Sequence, residues 1–181
     1  MFTHDLMFLR YLLDESEKQD VPYQHQRVRR EAEAGIISSD LPWVAMRVKD
    51  RLGVLRARLQ TAEKLFRSDR DAYERAAREI YGLLREAWEK AVEEVLLNDV
   101  VERFRRSIET KRVRYLADIT KEDCDAVEFG MTHCSRWIRG HDESAADGTP
   151  FPKPADLSKA IQDLDDWVQR IRKRREGKKT T

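Results

Sequence analysis

Residues 69–98 read DRDAYERAAREIYGLLREAWEKAVEEVLLN, and the spacing of their apolar residues decides the fold class. Tyr73, Ala77, Ile80, Leu84, Ala87, Ala91 and Val95 recur every three or four positions, the repeat of one face of an α-helix. Ser68-Asp69 interrupts the pattern on the N-terminal side and supplies a cap, because a short acidic side chain accepts hydrogen bonds from first-turn N–H groups. The helix should end near Asn98.

Working outward, Asp40-Leu41-Pro42-Trp43 reads as another helix start, with Asp40 or Ser39 as cap and Pro42 in the first turn. A helix to about Arg67 follows, with Val44, Val48, Leu52, Leu55 and Leu59 on one stripe. Residues 5 to about 19 carry Leu6, Phe8, Leu9, Leu12 and Leu13 on a broad apolar face, and Val21-Pro22 ends that helix. Residues 23–37, around Gly35, suit one or two short strands. On the C-terminal side, Val100 to Phe104 is β-like, and residues 108–118 fit either a short helix or an irregular connection. Thr120-x-x-Asp123 resembles a capping box, with Asp where Glu is usual. It opens a helix that buries Val127, Met131, Cys134 and Ile138 and should stop at Gly140. Residues 142–154 form a polar loop, and a last helix turns Leu157, Ile161, Leu164, Val168 and Ile171 inward before the basic run RIRKRREGKK.

With only 7 Gly and 5 Pro in 181 residues, long helices are favoured over a turn-rich β fold. The expectation is all-α: a four- or five-helix bundle over residues 39–181 behind a small separate segment, residues 1–38. Charged residues make up 38% of the chain but cancel to a net +1, so affinity for nucleic acid must come from local patches. No apolar run approaches the roughly 20 residues needed to cross a bilayer, and the start MFTHDLMFLR passes directly into an acidic helix, unlike a signal peptide. Cys124 and Cys134 are too far apart along one helix to bond within it, which fits reduced thiols in a cytoplasmic protein. The Cys and His residues lack zinc-ligand spacing, so no metal site is expected.

Phe2-Thr3-His4-Asp5-Leu6 stands immediately before an amphipathic helix. It resembles the end of an ABC-type ATPase of the SMC/RecF class, where a buried strand delivers a switch histidine, often as FTHD, ahead of a helix. The resemblance implies that residues 1–38 are the C-terminal remnant of an ATPase lobe and that His4 reaches the γ-phosphate of a nucleotide held by an upstream lobe, donating to a phosphate oxygen. The chain carries no G-x-x-x-x-G-K-[ST] loop, and Gly177-Lys178-Lys179-Thr180 lacks the earlier glycine and follows a helix. ATP and Mg are therefore expected only with an upstream lobe, and the chain itself needs no cofactor. By this reading it is the C-terminal segment of a larger ATPase.

Arg85 and Glu89 lie one turn apart on the clearest helix, and Arg136-Trp137-Ile138-Arg139-Gly140-His141 follows about fifty residues later. The combination resembles the HEPN ribonuclease superfamily, helical bundles with an R-x(4–6)-H motif. The nearer likeness is to the anticodon-nuclease module of RloC and PrrC, which follows an ABC-type ATPase. Carried over by motif, Arg85, Glu89 and His141 are the catalytic candidates, with Arg136 as the motif arginine. Trp137 departs from the family pattern, in which the next residue is often small or polar. The resemblance implies metal-independent cleavage of tRNA in phage defence: His141 moves a proton, Arg85 fixed by Glu89 steadies phosphorane charge, and a 2′,3′-cyclic phosphate results. It also implies a homodimer, since sites of this type form between protomers.

Arg103, Arg105, Arg106, Lys111, Arg112 and Arg114 make one basic cluster suited to phosphate contacts, and Arg170 to Lys179 makes another. Trp43, Trp88, Trp137 and Trp167 lie on or beside apolar stripes, which favours core packing over base stacking. His133 reads as partly exposed rather than catalytic. Two alternatives remain open: a non-catalytic helical module that couples ATPase state to a protein or DNA partner, and a free-standing binding domain.

Overall fold

The computed structural model describes residues 2–30, 34–103, 107–138 and 150–178. The chain divides into two compact units, Met1–Arg47 and Val48–Thr181.

The first unit opens with α1 (Leu6–Lys18). Asp5 caps it, its carboxylate accepting from the Phe8 N–H at 3.1 Å. The helix ends before Val21-Pro22 becomes relevant. Asp20 adopts a left-handed conformation (φ 53°), and the N–H groups of Asp20 and Val21 reach back to the carbonyls of Glu17 and Ser16, a Schellman motif built on Asp instead of Gly. Strands β1 (Arg27–Arg30) and β2 (Ala34–Ser38) pair antiparallel, Val28 opposite Ile37, with an irregularity at Arg29/Arg30. Gly35, at φ 90°, takes a backbone conformation that side chains resist. A 3₁₀ turn at Trp43–Ala45 closes the unit: Arg10 donates to the Ala45 carbonyl, and Arg47 pairs with Asp14 at 2.8 Å. These contacts lie within the first unit, which runs to Arg47.

The second unit is the helical bundle. Among the described residues its α-helices are α2 (Val48–Ser68), α3 (Arg70–Ala91), α4 (Lys121–Ile138) and α5 (Pro154–Lys178). The single helix expected from Pro42 to Arg67 is thus two elements, because Met46 is extended. The Glu94 carboxylate receives the Val48 N–H that opens α2 (3.0 Å) and also pairs with Arg172 of α5. Asp69 caps α3 by accepting from the Ala72 N–H at 2.9 Å, as its position before the helix predicts.

Helix α3 packs against all three others, which explains why its apolar stripe is the clearest. Tyr73, Ala77, Ile80, Leu84, Ala87 and Ala91 are all buried. Leu52, Leu55 and Leu59 of α2 and Leu157, Ile161, Leu164, Val168 and Ile171 of α5 complete the core. Trp88, Trp137 and Trp167 are buried too, as core packing requires. In α4, Cys134 is buried as expected, but Ile138 is exposed and Gly130 is buried in its place.

Beyond Ala91 the helix widens into a π turn, Val92–Leu96. A wider turn leaves carbonyls without helical partners. Arg175 of α5 supplies them, its guanidinium donating to the carbonyls of Val95, Leu96 and Tyr115. Asn98 and Asp99 then both turn left-handed (φ 51° and 54°) and reverse the chain. The β-like reading of Val100 to Phe104 fails over Val100–Arg103 for this reason: these residues form bends and a turn but no strand, and Phe104 lies outside the described residues. Residues 110–118 form a 3₁₀ helix (Thr110–Asp118).

At the start of α4 the capping box is complete. The Thr120 N–H donates to Asp123 at 3.1 Å, and the Asp123 N–H donates to the Thr120 hydroxyl at 3.3 Å. Helix α4 extends to Ile138; Gly140, its expected stop, and most of the loop at 142–154 lie outside the described residues. No helix among the described residues is long and apolar enough to cross a membrane.

Candidate functional site

Helices α3 and α4 run antiparallel and in register, so residues fifty apart in sequence meet. Arg85 pairs with Glu89 at 3.0 Å, the one-turn contact expected from their spacing. Its Nε also donates to the Ser135 hydroxyl at 3.2 Å, across the helix interface. Ser135 in turn donates to the Met131 carbonyl at 2.8 Å. The Arg85 guanidinium is therefore held by two groups from two helices, yet its side chain is 41% exposed.

Glu89 has a second partner that the sequence did not indicate. Its other oxygen takes the Arg103 guanidinium at 2.7 Å, and Arg103 also reaches Glu93. The hydrogen bond from Arg103 to Glu89 raises the arginine's pKa further above an already high value. Glu89 thus lies between two guanidiniums, and its pairing with Arg85 orients that arginine.

Arg136 is exposed at the last turn of α4, next in sequence to Ser135, and its guanidinium lies 5.4 Å from the Trp137 ring centroid. Trp137 itself is buried, and its carbonyl accepts from Arg78 of α3. Trp137 thus has a packing role. His141 lies outside the described residues, as do Arg105 and Arg106. His4 is exposed in the first unit.

Of the remaining basic cluster, Arg112 is half-buried and pairs with Asp99 at 3.4 Å, while Lys111 and Arg114 are exposed. Arg114 lies over the Tyr115 ring. The second basic run, as far as Lys178, is the end of α5, where Arg172 binds Glu94, Arg174 binds Asp123 and Arg175 binds backbone carbonyls; Lys179 lies outside the described residues.

A cleft of about 530 Å³ opens among α3, α4 and α5. Trp88 lies beside Trp167, with ring centroids 5.3 Å apart, and its indole also packs on Gly130. A Cβ on Gly130 would stand 2.5 Å from the Trp88 ring, so only glycine admits this packing. Phe129 and His133 stack at 5.9 Å along one wall. Burial lowers the His133 pKa below the usual histidine range, and burial pushes the Cys134 thiol up to about 12, so both are neutral near pH 7. Reading the tryptophans as core residues from sequence missed the cleft; glycine in the middle of a helix was the available signal.

Among the described residues, no group of three or more His, Cys, Asp or Glu side chains is arranged to hold a metal ion. Comparison of the chain with family models, with curated proteins and with solved structures finds no match.

Proposed function

We propose that the helical unit is an RNA-directed effector module, a metal-independent ribonuclease acting on tRNA, with Arg85 as its phosphate-holding group. The observation that carries this reading is the Arg85 array: a half-exposed guanidinium fixed by Glu89 and by Ser135 of the facing helix. A guanidinium held from two sides keeps its remaining donors in a defined direction, and planar N–H forks suit phosphate oxygens. In the reaction, the RNA 2′-hydroxyl loses its proton and attacks phosphorus, the bond to the 5′-oxygen breaks, and a 2′,3′-cyclic phosphate forms. His141 is assigned the proton transfers and Arg85 the charge on the phosphorane oxygens, with Glu89 and Ser135 as positioning groups. Arg136 and the cluster of Arg103, Arg105, Arg106, Lys111, Arg112 and Arg114 are assigned to the RNA backbone.

Incubation with bulk tRNA in EDTA tests the reading. Discrete fragments ending in cyclic phosphate are expected, with loss of about 10²–10³-fold in Arg85→Ala and about 10²–10⁴-fold in His141→Ala. Glu89→Gln, which only loosens the arginine, should lose less than Arg85→Ala. Equal cleavage by all the variants would sink the assignment.

The same proposal sets the module behind a nucleotide-binding lobe of the SMC/RecF type, with His4 as the nucleotide-sensing residue. Supporting it, Asp5 is occupied in capping α1 while His4 and Phe2 beside it project their side chains into solvent. Dimerisation, implied by sites shared between protomers, is checked by sedimentation. A second reading, a non-catalytic module coupling nucleotide state to a protein or DNA partner, is favoured by Arg103 and Arg112. Both are paired with acidic residues of the bundle rather than free for phosphate. Under it, tRNA is left intact even with the upstream lobe and ATP supplied.

A further inference from the structure

The cleft among α3, α4 and α5 is separate from the array above: neither Arg85, Glu89 nor Arg136 lines it. Its floor and wall are aromatic, formed by Trp88, Trp167, Phe129 and His133. Phe129 remains 67% exposed at the mouth, so a large apolar ring faces water there. At about 530 Å³ the space falls within the roughly 300–1,000 Å³ typical of small-molecule sites.

The rim carries charge of mixed sign but unequal availability. Asp156, Asp163 and Asp166 of α5 face the cleft, together with Lys159 and Arg170. Lys159 is engaged by Asp163 at 2.8 Å, and Arg170 lies 3.7 Å from Asp123, which is not among the lining residues. Asp166 accepts a hydrogen bond from Gln162, and Asp156 accepts from the Lys153 N–H. Neither of these contacts neutralises a carboxylate, so negative charge is in excess at the mouth. An anionic ligand would meet this rim unfavourably. A compact polyamine would leave the aromatic floor unused.

We propose that the cleft binds a small organic cation: an apolar body lying against Phe129 at the mouth, above the buried Trp88 and Trp167, with one protonated amine at Asp163 and Asp166. The electron-rich ring of the exposed Phe129 favours the cation as well as the apolar body. The ammonium displaces Lys159 from Asp163, an exchange that costs little because that pair is a solvated one-turn contact.

Three probes of one shape test this on the full chain: 4-phenylbutylamine, 4-phenylbutanol and 4-phenylbutanoate. Binding is read by NMR from the indole N–H signals of Trp88 and Trp167, with Trp43, which does not line the cleft, as internal reference. The amine should bind severalfold more tightly than the alcohol and about tenfold more tightly than the carboxylate. Asp163→Asn with Asp166→Asn should abolish the preference for amine over alcohol, while Lys159→Ala should strengthen amine binding. Equal affinity for the three probes, or a preference surviving the double substitution, overturns the cation assignment. Absence of any shift up to about 10 mM overturns the site.

Discussion

Gly130 occupies a helix interior where alanine is the better helix former by about 1 kcal/mol. The residue is there because Trp88 of α3 needs the room: an added Cβ would lie 2.5 Å from the indole. Trp88 has little room to retreat, since it is almost fully buried and Trp167 lies beside it at 5.3 Å. Overpacking of this kind costs about 1–3 kcal/mol, which exceeds the gain in helix propensity. Gly130→Ala should therefore lower the midpoint of thermal unfolding by several degrees; a rise would show that the indole has space to move. The Arg85–Glu89 contact was legible at this scale, because residues four apart on a helix are neighbours. Ser135 and Arg103, the other members of that array, were not. One comes from a different helix and the other from beyond a chain reversal, and spacing along the sequence records neither.

The start of α4 shows how a whole element is fixed by one carboxylate. Asp123 completes the box with Thr120 and is fully buried, and Arg174 and Arg170 of α5 close on it. Burial alone would raise its pKa; the hydrogen bonds from Arg174 and the Thr120 N–H outweigh that and hold it below the usual carboxylate range. A depressed folded-state value means the stabilisation is present above the unfolded pKa, near 3.8, and is lost as pH falls through the folded one. Asp123→Ala removes the cap and strands two arginines, so a loss of about 2 kcal/mol is expected from denaturant unfolding at pH 7. Asp123→Asn keeps an acceptor for the Thr120 N–H and should lose less. The box itself was readable from four residues. That arginines of the apparent basic tail complete it was not, because Arg174 meets Asp123 only when α5 lies along α4.

For the helical unit taken whole, the described groups place one pH dependence near neutrality. His133 is half-buried between Phe129, Tyr81 and Trp137, and burial lowers its pKa, with Arg136 and Lys159 acting in the same direction and Asp163 and Asp156 opposing. A lowered value means the unfolded chain takes up a proton before the folded one does. Stability should accordingly be constant above about pH 7 and fall as pH drops through 6.5, the unfolded value, towards the folded pKa. His133→Gln should flatten that part of the profile measured by denaturant unfolding between about pH 7.5 and 5.5. An unchanged slope would mean that other groups dominate.

The sequence by itself determined that the chain is mostly helical, which faces of α2, α3 and α5 are buried and where two helices are capped. These properties depend on residues three or four apart, whose geometry a helix sets without help from the rest of the fold. The order of packing around α3 was decided only by the tertiary structure, as were the π turn held by Arg175, the pinning of the basic run and the aromatic cleft. Each depends on side chains tens of residues apart meeting in space. Such meetings arise from the burial of the combined apolar faces, which no single stretch of sequence encodes.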